Sequence, residues 1–321
     1  MREIVIKKND AGQRLDKFLS KALPSLPISK LYKSIRLKKI KVNRRRAEAS
    51  QILQMGDTLQ LFLAEEFFED KSKKSDLRLN DVHVHLDVLY EDENILLLNK
   101  RPGVSVHEDE TGEKNTLILQ VWAYLYQKGE YQPSNEASFA PALCNRIDRN
   151  TGGIVIVAKN AESLRILNEK IKARELDKYY LCLVHGVPTP KSATLGGFLW
   201  KDSKENRVYV YEKNPPKGAK EIHTRYTTIS VHGDLALLEV ELLTGRTHQI
   251  RAHLAHVGHP LLGDGKYGIN RSDRANGHKH QALWSYKLRF SFKEDAGILS
   301  YLDGKEFSVP YEKIYFLKEL L

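Results

Sequence analysis

Residues 144–160 read CNRIDRNTGGIVIVAKN. The apolar run Ile154-Val155-Ile156-Val157-Ala158 has the length and the β-branched content of a buried strand, and the turn Thr151-Gly152-Gly153 leads into it. Arg146, Asp148 and Arg149, three charges in four residues, are therefore held in a loop at the edge of that strand. Loops fixed to a rigid scaffold are where catalytic side chains usually sit. A single Asp in such a place can equally do no more than cap the turn through its own side chain. These residues alone leave both roles for Asp148 open.

The neighbouring sequence supplies the rest of a sheet. Upstream, DVLYED and NILLLNK are short strands, followed by the turn RPGVSVHE, an amphipathic helix around NTLILQVWAYLYQ, and a surface loop at 128–140. Downstream come the helix AESLRILNEKIK and strands at KYYLCLV, NRVYVY, EIHTRYTTIS and LALLEVELL. A last helix, RTHQIRAHLAHVG, precedes the glycine-rich HPLLGDGKYG. Strands outnumber helices and short turns join several of them. That pattern predicts an α+β domain with a mixed, largely antiparallel sheet rather than a doubly wound one.

A chain of 321 residues has room for two domains, and the charge separates them. Residues 1–64 hold 15 Lys and Arg against 5 Asp and Glu, whereas the remaining residues balance at 36 of each. Basic charge concentrated on a small region is the footprint of a polyanion binder, most often nucleic acid; the plainer alternative is a solubilising surface. Within this region a strand (EIVIKK) precedes a helix carrying Leu15, Phe18, Leu19 and Leu23 at helical spacing. A second helix follows Pro27 and Ser29, with Leu31, Ile35 and Tyr32 expected to face inward. Residues 65–81, charged and without periodicity, read as a flexible linker that lets the module dock separately, leaving 82–321 as the larger domain.

No apolar run approaches the roughly 20 residues that span a bilayer, and MREIVIKKND lacks a signal-peptide core, so a cytoplasmic protein is expected. Cys144 and Cys182, the only cysteines, form no CxxC and are expected to be core thiols. His248, His253, His256 and His259 fall within twelve residues, but no HExxH or other carboxylate-bearing ligand motif accompanies them. Histidines three apart also rotate around a helix instead of converging on one ion. In that helix Arg246, Ile250, His253 or Leu254, and Val257 would share a stripe, with Arg251 off it. No P-loop and no GxGxxG is present, so neither a metal nor a nucleotide cofactor is expected.

Two resemblances gather these features. GQRLDKFL, the Ser-Lys helix, IKVNRRR and GDTLQLF resemble the alpha-L RNA-binding module first described in a small-subunit ribosomal protein, over about residues 12–63, with Lys39 where a Gly is usual. NRIDRNTGGIVIVAKN resembles the aspartate motif of the RluA family of pseudouridine synthases. Three further motifs follow in family order: YEDENILLLNKRPGVSVH, the Lys-x-Tyr segment DKYYLCLVHG, and LLTGRTHQIRAHLAHVGHPLLGDGKYG. Together they cover nearly the whole chain in the RluC-like and RluD-like arrangement. Departures are Asn145 where His often stands, Gly152 for Ser, an inserted Arg101, and Cys182 for Ala.

The resemblance implies an RNA uridine isomerase that works without a cofactor, on large-subunit ribosomal RNA, as a cytoplasmic monomer. It implies Asp148 as the catalytic carboxylate, Arg251 as its ion-pair partner, and Tyr180 stacked on the base or accepting a proton. Arg146 would fill the space left by the flipped nucleotide. Ser29, Lys30, Lys33, Arg36, Arg44 and Arg45, with Arg14, Lys100 and Arg246, are the expected RNA contacts. Two other classes are a non-catalytic RNA-binding or ribosome-assembly factor on the same fold and a metal-dependent RNA hydrolase built on the His-rich helix. Intact Asp148, Tyr180 and Arg251 weigh against the former, and the missing ligand motif against the latter.

Overall fold

A computed structural model of the chain describes residues 1–68, 79–108, 115–268 and 270–318. Of the linker expected at 65–81, Glu65–Phe68 is a 3-10 turn and residues 69–78 lie outside the described residues. The chain divides into two units: Met1–His85 with Ile118–Ala142 and Ala158–Arg165, and Leu86–Leu117 with Leu143–Val157 and Ile166–Leu321.

In the first unit, β1 (Arg2–Val5), β2 (Ile40–Val42), β3 (Arg45–Arg46) and β4 (Thr58–Leu61) form an antiparallel sheet in the order β1-β4-β2-β3. Helices α1 (Leu15–Ala22) and α2 (Ile28–Arg36) pack Leu15, Phe18, Leu19, Leu31 and Ile35 into one core with Ile40, Val42, Leu59 and Leu61. Tyr32 does not join them: it is 47% exposed, and its hydroxyl donates to Asp16 at 2.9 Å. The left-handed residue after α2, where glycine is favoured, is Lys38, at φ +59°, one residue before the Lys39 at which the resemblance places a Gly. Asn43 and Arg44, at φ +49° and +62°, make the two-residue turn between β2 and β3. The Asn43 side chain braces that turn, donating to Asp57 Oδ1 at 2.7 Å and accepting from the Thr58 amide at 2.8 Å.

Residues 7–13 do not stand apart from the rest of this unit. Lys7 Nζ donates to the Asn135 carbonyl (2.8 Å), Gln13 Nε2 to Ser138 Oγ (2.8 Å), Ser138 Oγ to Asp10 Oδ1 (2.7 Å), and Arg165 Nη1 to the Ala11 carbonyl (3.1 Å). The separate docking expected of the module is thus replaced by a polar seam with 135–138 and 161–165. Helix α3 (Leu117–Gln127) and the first turn of α4 (Ala161–Lys172) contribute to the same unit.

An eleven-stranded sheet dominates the second unit. Its strands are β5 (Val88–Glu91), β6 (Ile95–Lys100), β7 (Ala142–Leu143), β8 (Gly152–Ala158), β9 (Leu176–His185), β10 (Ser192–Asp202), β11 (Arg207–Tyr211), β12 (Lys220–His232), β13 (Leu235–Leu242), β14 (Leu283–Phe290) and β15 (Glu306–Ser308). The order is β11-β10-β12-β13-β9-β14-β8-β6-β5, with β15 on β14 and β7 on β8. The sheet is mixed and largely antiparallel, as the sequence predicts; β8 and β14 run parallel, pairing Gly152 with Trp284 and Gly153 with Ser285.

That pairing accounts for both glycines. A Cβ on Gly152 would lie 2.3 Å from the Trp284 ring, and one on Gly153, which sits at φ +110°, would lie 2.1 Å from the Ser285 carbonyl oxygen. Helix α5 (Gln249–His256) rests on the sheet through Ala252, which packs with Leu199, Val208 and Ile222 of β10, β11 and β12. It begins later than its periodicity suggests. His248 stands before it in the left-handed region, at φ +54°, and Arg246 is an exposed loop residue, off the stripe expected of it. A short helix α6 (Asn270–Ala275) follows. Cys182 is buried, but Cys144 is only half-buried, so one of the two expected core thiols stands at the margin. No helix among the described residues is long and apolar enough to cross a membrane.

Candidate active site

The loop between β7 and β8 is fixed at both ends. Asn145 acts as an extra rung of the sheet, its Oδ1 accepting from the Ile156 amide (2.8 Å) and its Nδ2 donating to the Ile154 carbonyl (3.2 Å). Thr151 closes the turn by donating its amide to the Asp148 carbonyl at 3.0 Å, and its hydroxyl accepts from Gln281 Nε2 at 3.1 Å. Because the Asp148 backbone closes the turn, its side chain is free for other work.

Lys100 fixes a neighbouring loop to this one. Only 2% exposed, its ammonium donates to the carbonyls of Arg101 (3.0 Å), Val104 (3.0 Å) and Arg149 (2.8 Å). Arg149 and Gly103 add a reciprocal pair, amide to carbonyl at 2.9 Å and Nε to carbonyl at 3.0 Å. Lys100 is thus placed to hold two loops together, not to meet RNA at the surface.

The Asp148 carboxylate meets Arg251, whose Nη1 donates to Asp148 Oδ2 at 2.7 Å. The other edge of the same guanidinium is gripped by Asp264, with Nε to Oδ2 at 2.7 Å and Nη2 to Oδ1 at 2.9 Å. Asp264 Oδ1 also accepts the amides of Lys266 (2.9 Å) and Tyr267 (3.1 Å). The Tyr267 ring lies 5.3 Å from the guanidinium carbon. Burial opposes the charge on Arg251, but hydrogen bonds and charge from Asp264, then Asp148, outweigh it and raise its pKa. Burial likewise opposes the charge on Asp264, and Arg251 with the two backbone amides outweighs it, holding this carboxyl below its ordinary value.

The two carboxylates are not equivalent. The Asp264 side chain is 1% exposed and its oxygens are fully engaged; the Asp148 side chain is 24% exposed, with one arginine contact. Asp148 is the carboxylate that a substrate can reach. His248 Nε2 lies 3.8 Å from Asp148 Oδ2, while its Nδ1 pairs with the Tyr267 hydroxyl at 3.0 Å. Burial lowers the His248 pKa against the pull of Asp148, so it stands there as a neutral ring at pH 7.

Tyr180 lies in β9, opposite Ser285 in β14 and Val240 in β13. Burial pushes its phenol up to about 12, against a hydrogen bond with Ser285 and reinforced by the charge of Asp148. It is therefore a neutral aromatic surface at physiological pH, not a phenolate. Arg146 is exposed, and its charge acts with burial to lower the pKa of His107 in the RPGVSVH turn. Ser29, Lys30, Lys33, Arg36, Arg44 and Arg45 are exposed on the first unit, where Arg14 is paired with Asp16 at 2.8 Å. Asp264 and Tyr267 have no role in the reading of the sequence, and His248 enters it only as one of four clustered histidines. GDGKYG looked like a glycine turn, and only the fold brings it thirteen residues back onto Arg251. Among the described residues no three His, Cys, Asp or Glu side chains converge as a metal site requires.

Residues 94–256 match the model of the RNA pseudouridylate synthase family, and 13–59 that of the S4 domain. The chain belongs to the pseudouridylate synthase family. It is an isomerase carrying an RNA-binding S4 domain. It is 34% identical to an uncharacterized RNA pseudouridine synthase of Mycoplasma genitalium, over 90% of this chain and 88% of that one. It is 33% identical to ribosomal large subunit pseudouridine synthase C of Buchnera aphidicola subsp. Baizongia pistaciae, over 84% and 81%. The fold is shared with human RNA pseudouridylate synthase domain containing 1, with TM-score 0.55 and 24% identity over 70% of this chain and 83% of that one.

Proposed function

We propose that this synthase converts uridine to pseudouridine in large-subunit ribosomal RNA, with Asp148 as the carboxylate that acts on the flipped nucleotide. The observation that carries the reading is the asymmetry around Arg251: one carboxylate buried and fully used, the other held by the same guanidinium with an open side. The reaction breaks the bond from ribose to the base nitrogen, turns the base, and rejoins it through carbon, so it needs an ionised carboxylate beside an unstacked uridine. Arg251 holds Asp148 through the Nη1 hydrogen bond to one carboxylate oxygen and so directs the other side of the group toward the docked nucleotide. Tyr180 offers its neutral ring to the base, and Arg146 fills the place that the base vacates.

Unstacking costs a few kcal/mol in comparable base-flipping enzymes, and phosphate contacts offset it without specifying sequence. Ser29, Lys30, Lys33, Arg36, Arg44 and Arg45, in the module at 1–64, supply those contacts, and Arg246 adds one beside the site. The enzyme works in the cytoplasm as a monomer, and its own side chains suffice for the chemistry. The Buchnera relative is by title a ribosomal large subunit pseudouridine synthase, which supports that substrate class.

The test is a map of pseudouridines, by carbodiimide-adduct primer extension, across ribosomal RNA from cells lacking the protein and rescued with wild type or Asp148→Asn. Particular large-subunit sites are expected to vanish and return with the wild type alone. Return of those sites with the Asn variant would overturn the assignment of Asp148. No change in large-subunit RNA would overturn the substrate.

A further inference from the structure

The Lys-x-Tyr segment contains a charge that the reaction as proposed does not use. Lys178 lies in β9 two residues before Tyr180, so both side chains leave the same face of the sheet. Its partner across the ladder on β14 is Leu288, and that of Tyr180 is Ser285. Asp177, the adjacent carboxylate, belongs to the opposite face, where Ser291 Oγ donates to it at 2.7 Å.

Lys178 is half-buried, yet its ammonium has no hydrogen bond or ion pair with any described residue. Burial lowers its pKa, and among the described residues the Cys144 thiol, at the start of the Asp148 loop, is the titratable group that acts on it. The other lysines that this unit buries behave differently. Lys100 is satisfied by three carbonyls; Lys170 meets Glu175 Oε2 at 2.9 Å and the Glu294 carbonyl at 2.8 Å. Partial burial of a cation without a protein acceptor costs free energy that Leu or Met at the same place would not.

We infer that Lys178 is an anion subsite, and that its occupant is a backbone phosphate of the RNA adjacent to the uridine docked against Tyr180. This rests on the function proposed above. RNA brings one negative charge per nucleotide, carried by the phosphate, and lysine binds phosphate as a point charge. Two residues along a strand span roughly 7 Å, which sets the ammonium beside the docked nucleotide and not on top of its base. The anion that the protein itself withholds from Lys178 would arrive with the substrate.

The competing reading is that Lys178 contributes only its aliphatic stem. Lys178→Met keeps the stem and removes the charge, and Lys178→Arg keeps the charge. Affinity for a large-subunit ribosomal RNA transcript would be measured against KCl concentration for both variants and the wild type, with KM and kcat for pseudouridine formation on the same RNA. For Lys178→Met the slope of log affinity against log salt is expected to fall by about 0.7–0.9, with KM raised by about tenfold, and the loss to weigh on KM more than on kcat. Lys178→Arg is expected to keep the slope. A methionine variant with the slope and KM of the wild type would overturn the subsite.

Should Lys178→Met fail to fold, RNA carrying neutral methylphosphonates on either side of the modified uridine gives the same comparison with unaltered protein. Equal KM for charged and neutral RNA would count against the subsite. A wild type that binds the transcript but forms no pseudouridine on it would remove the proposed function, while the salt slopes would still decide the question of Lys178.

Discussion

Arg251 is a cation shared unequally by two carboxylates, and the inequality is what makes one of them available. Asp264 takes the Nε edge in two hydrogen bonds and has no solvent face, so its part is to fix the direction in which Nη1 points. Asp264→Asn leaves a guanidinium fork facing a group that can accept only on one side. Removing one partner of a buried pair costs roughly 3–5 kcal/mol, and a misdirected guanidinium is expected to lower kcat by about 10–100-fold while RNA affinity changes little. Chemical denaturation and single-turnover kinetics on the same preparation check both. The pH dependence has a definite sign. The Asp264 carboxyl is held below its ordinary value, so the contribution of the clamp is complete above the unfolded pKa of ~3.9 and is lost as pH falls through the lower folded one. The stability gap between wild type and Asp264→Asn should therefore be constant above about pH 5 and close in stronger acid.

Strand β8 was legible because its apolar run is continuous, but the two glycines before it are explained by a strand that the sequence conceals. In β14, Leu283, Trp284, Ser285 and Tyr286 are all buried, so the alternation that usually reveals a strand is missing. β10 hides for another reason: Gly196 and Gly197 interrupt its alternation of apolar and polar residues. Helix α5 was visible as a periodic stretch, whereas its true start, set by the left-handed His248, has no period to betray it. Asp148, Tyr180 and Arg251 could be named from motifs; Asp264 could not, because an Asp in a glycine-rich turn signals only the turn. Gly153→Ala tests how strictly the β8–β14 junction is built. The left-handed φ and the 2.1 Å approach to the Ser285 carbonyl leave no room for a methyl group, and a loss of roughly 2–4 kcal/mol is expected. Urea unfolding should show a lower midpoint for this variant. An unchanged midpoint would mean that the junction can open without cost.

The uneven charge of the chain invites an obvious experiment, deletion of residues 1–64, and the structure shows why that deletion is not clean. Residues 7–13 are hydrogen-bonded to 135–138 and 161–165, and the seam holds two carboxylates, Asp10 and Glu136, each with one buried oxygen that lacks a partner among the described residues. Burial and the charge of Asp10 raise the Glu136 pKa, with the Asn9 hydrogen bond opposing them. Deleting the module would expose this seam as well as remove the basic surface, so weakened RNA binding would have two causes. Neutralising the surface in place separates them. Lys30, Lys33, Arg36, Arg44 and Arg45 are all exposed, and none is needed by the core. Their combined replacement by Gln should leave thermal stability within about 0.5 kcal/mol per site. The slope of log affinity for ribosomal RNA against log salt should fall by about 0.7–0.9 for each phosphate that the variant no longer neutralises. Folded protein with a reduced slope, and with kcat retained at saturating RNA, would give the module a role in holding RNA and none in the chemistry. A slope equal to that of the wild type would mean that these five charges face water, and that RNA is held by other residues.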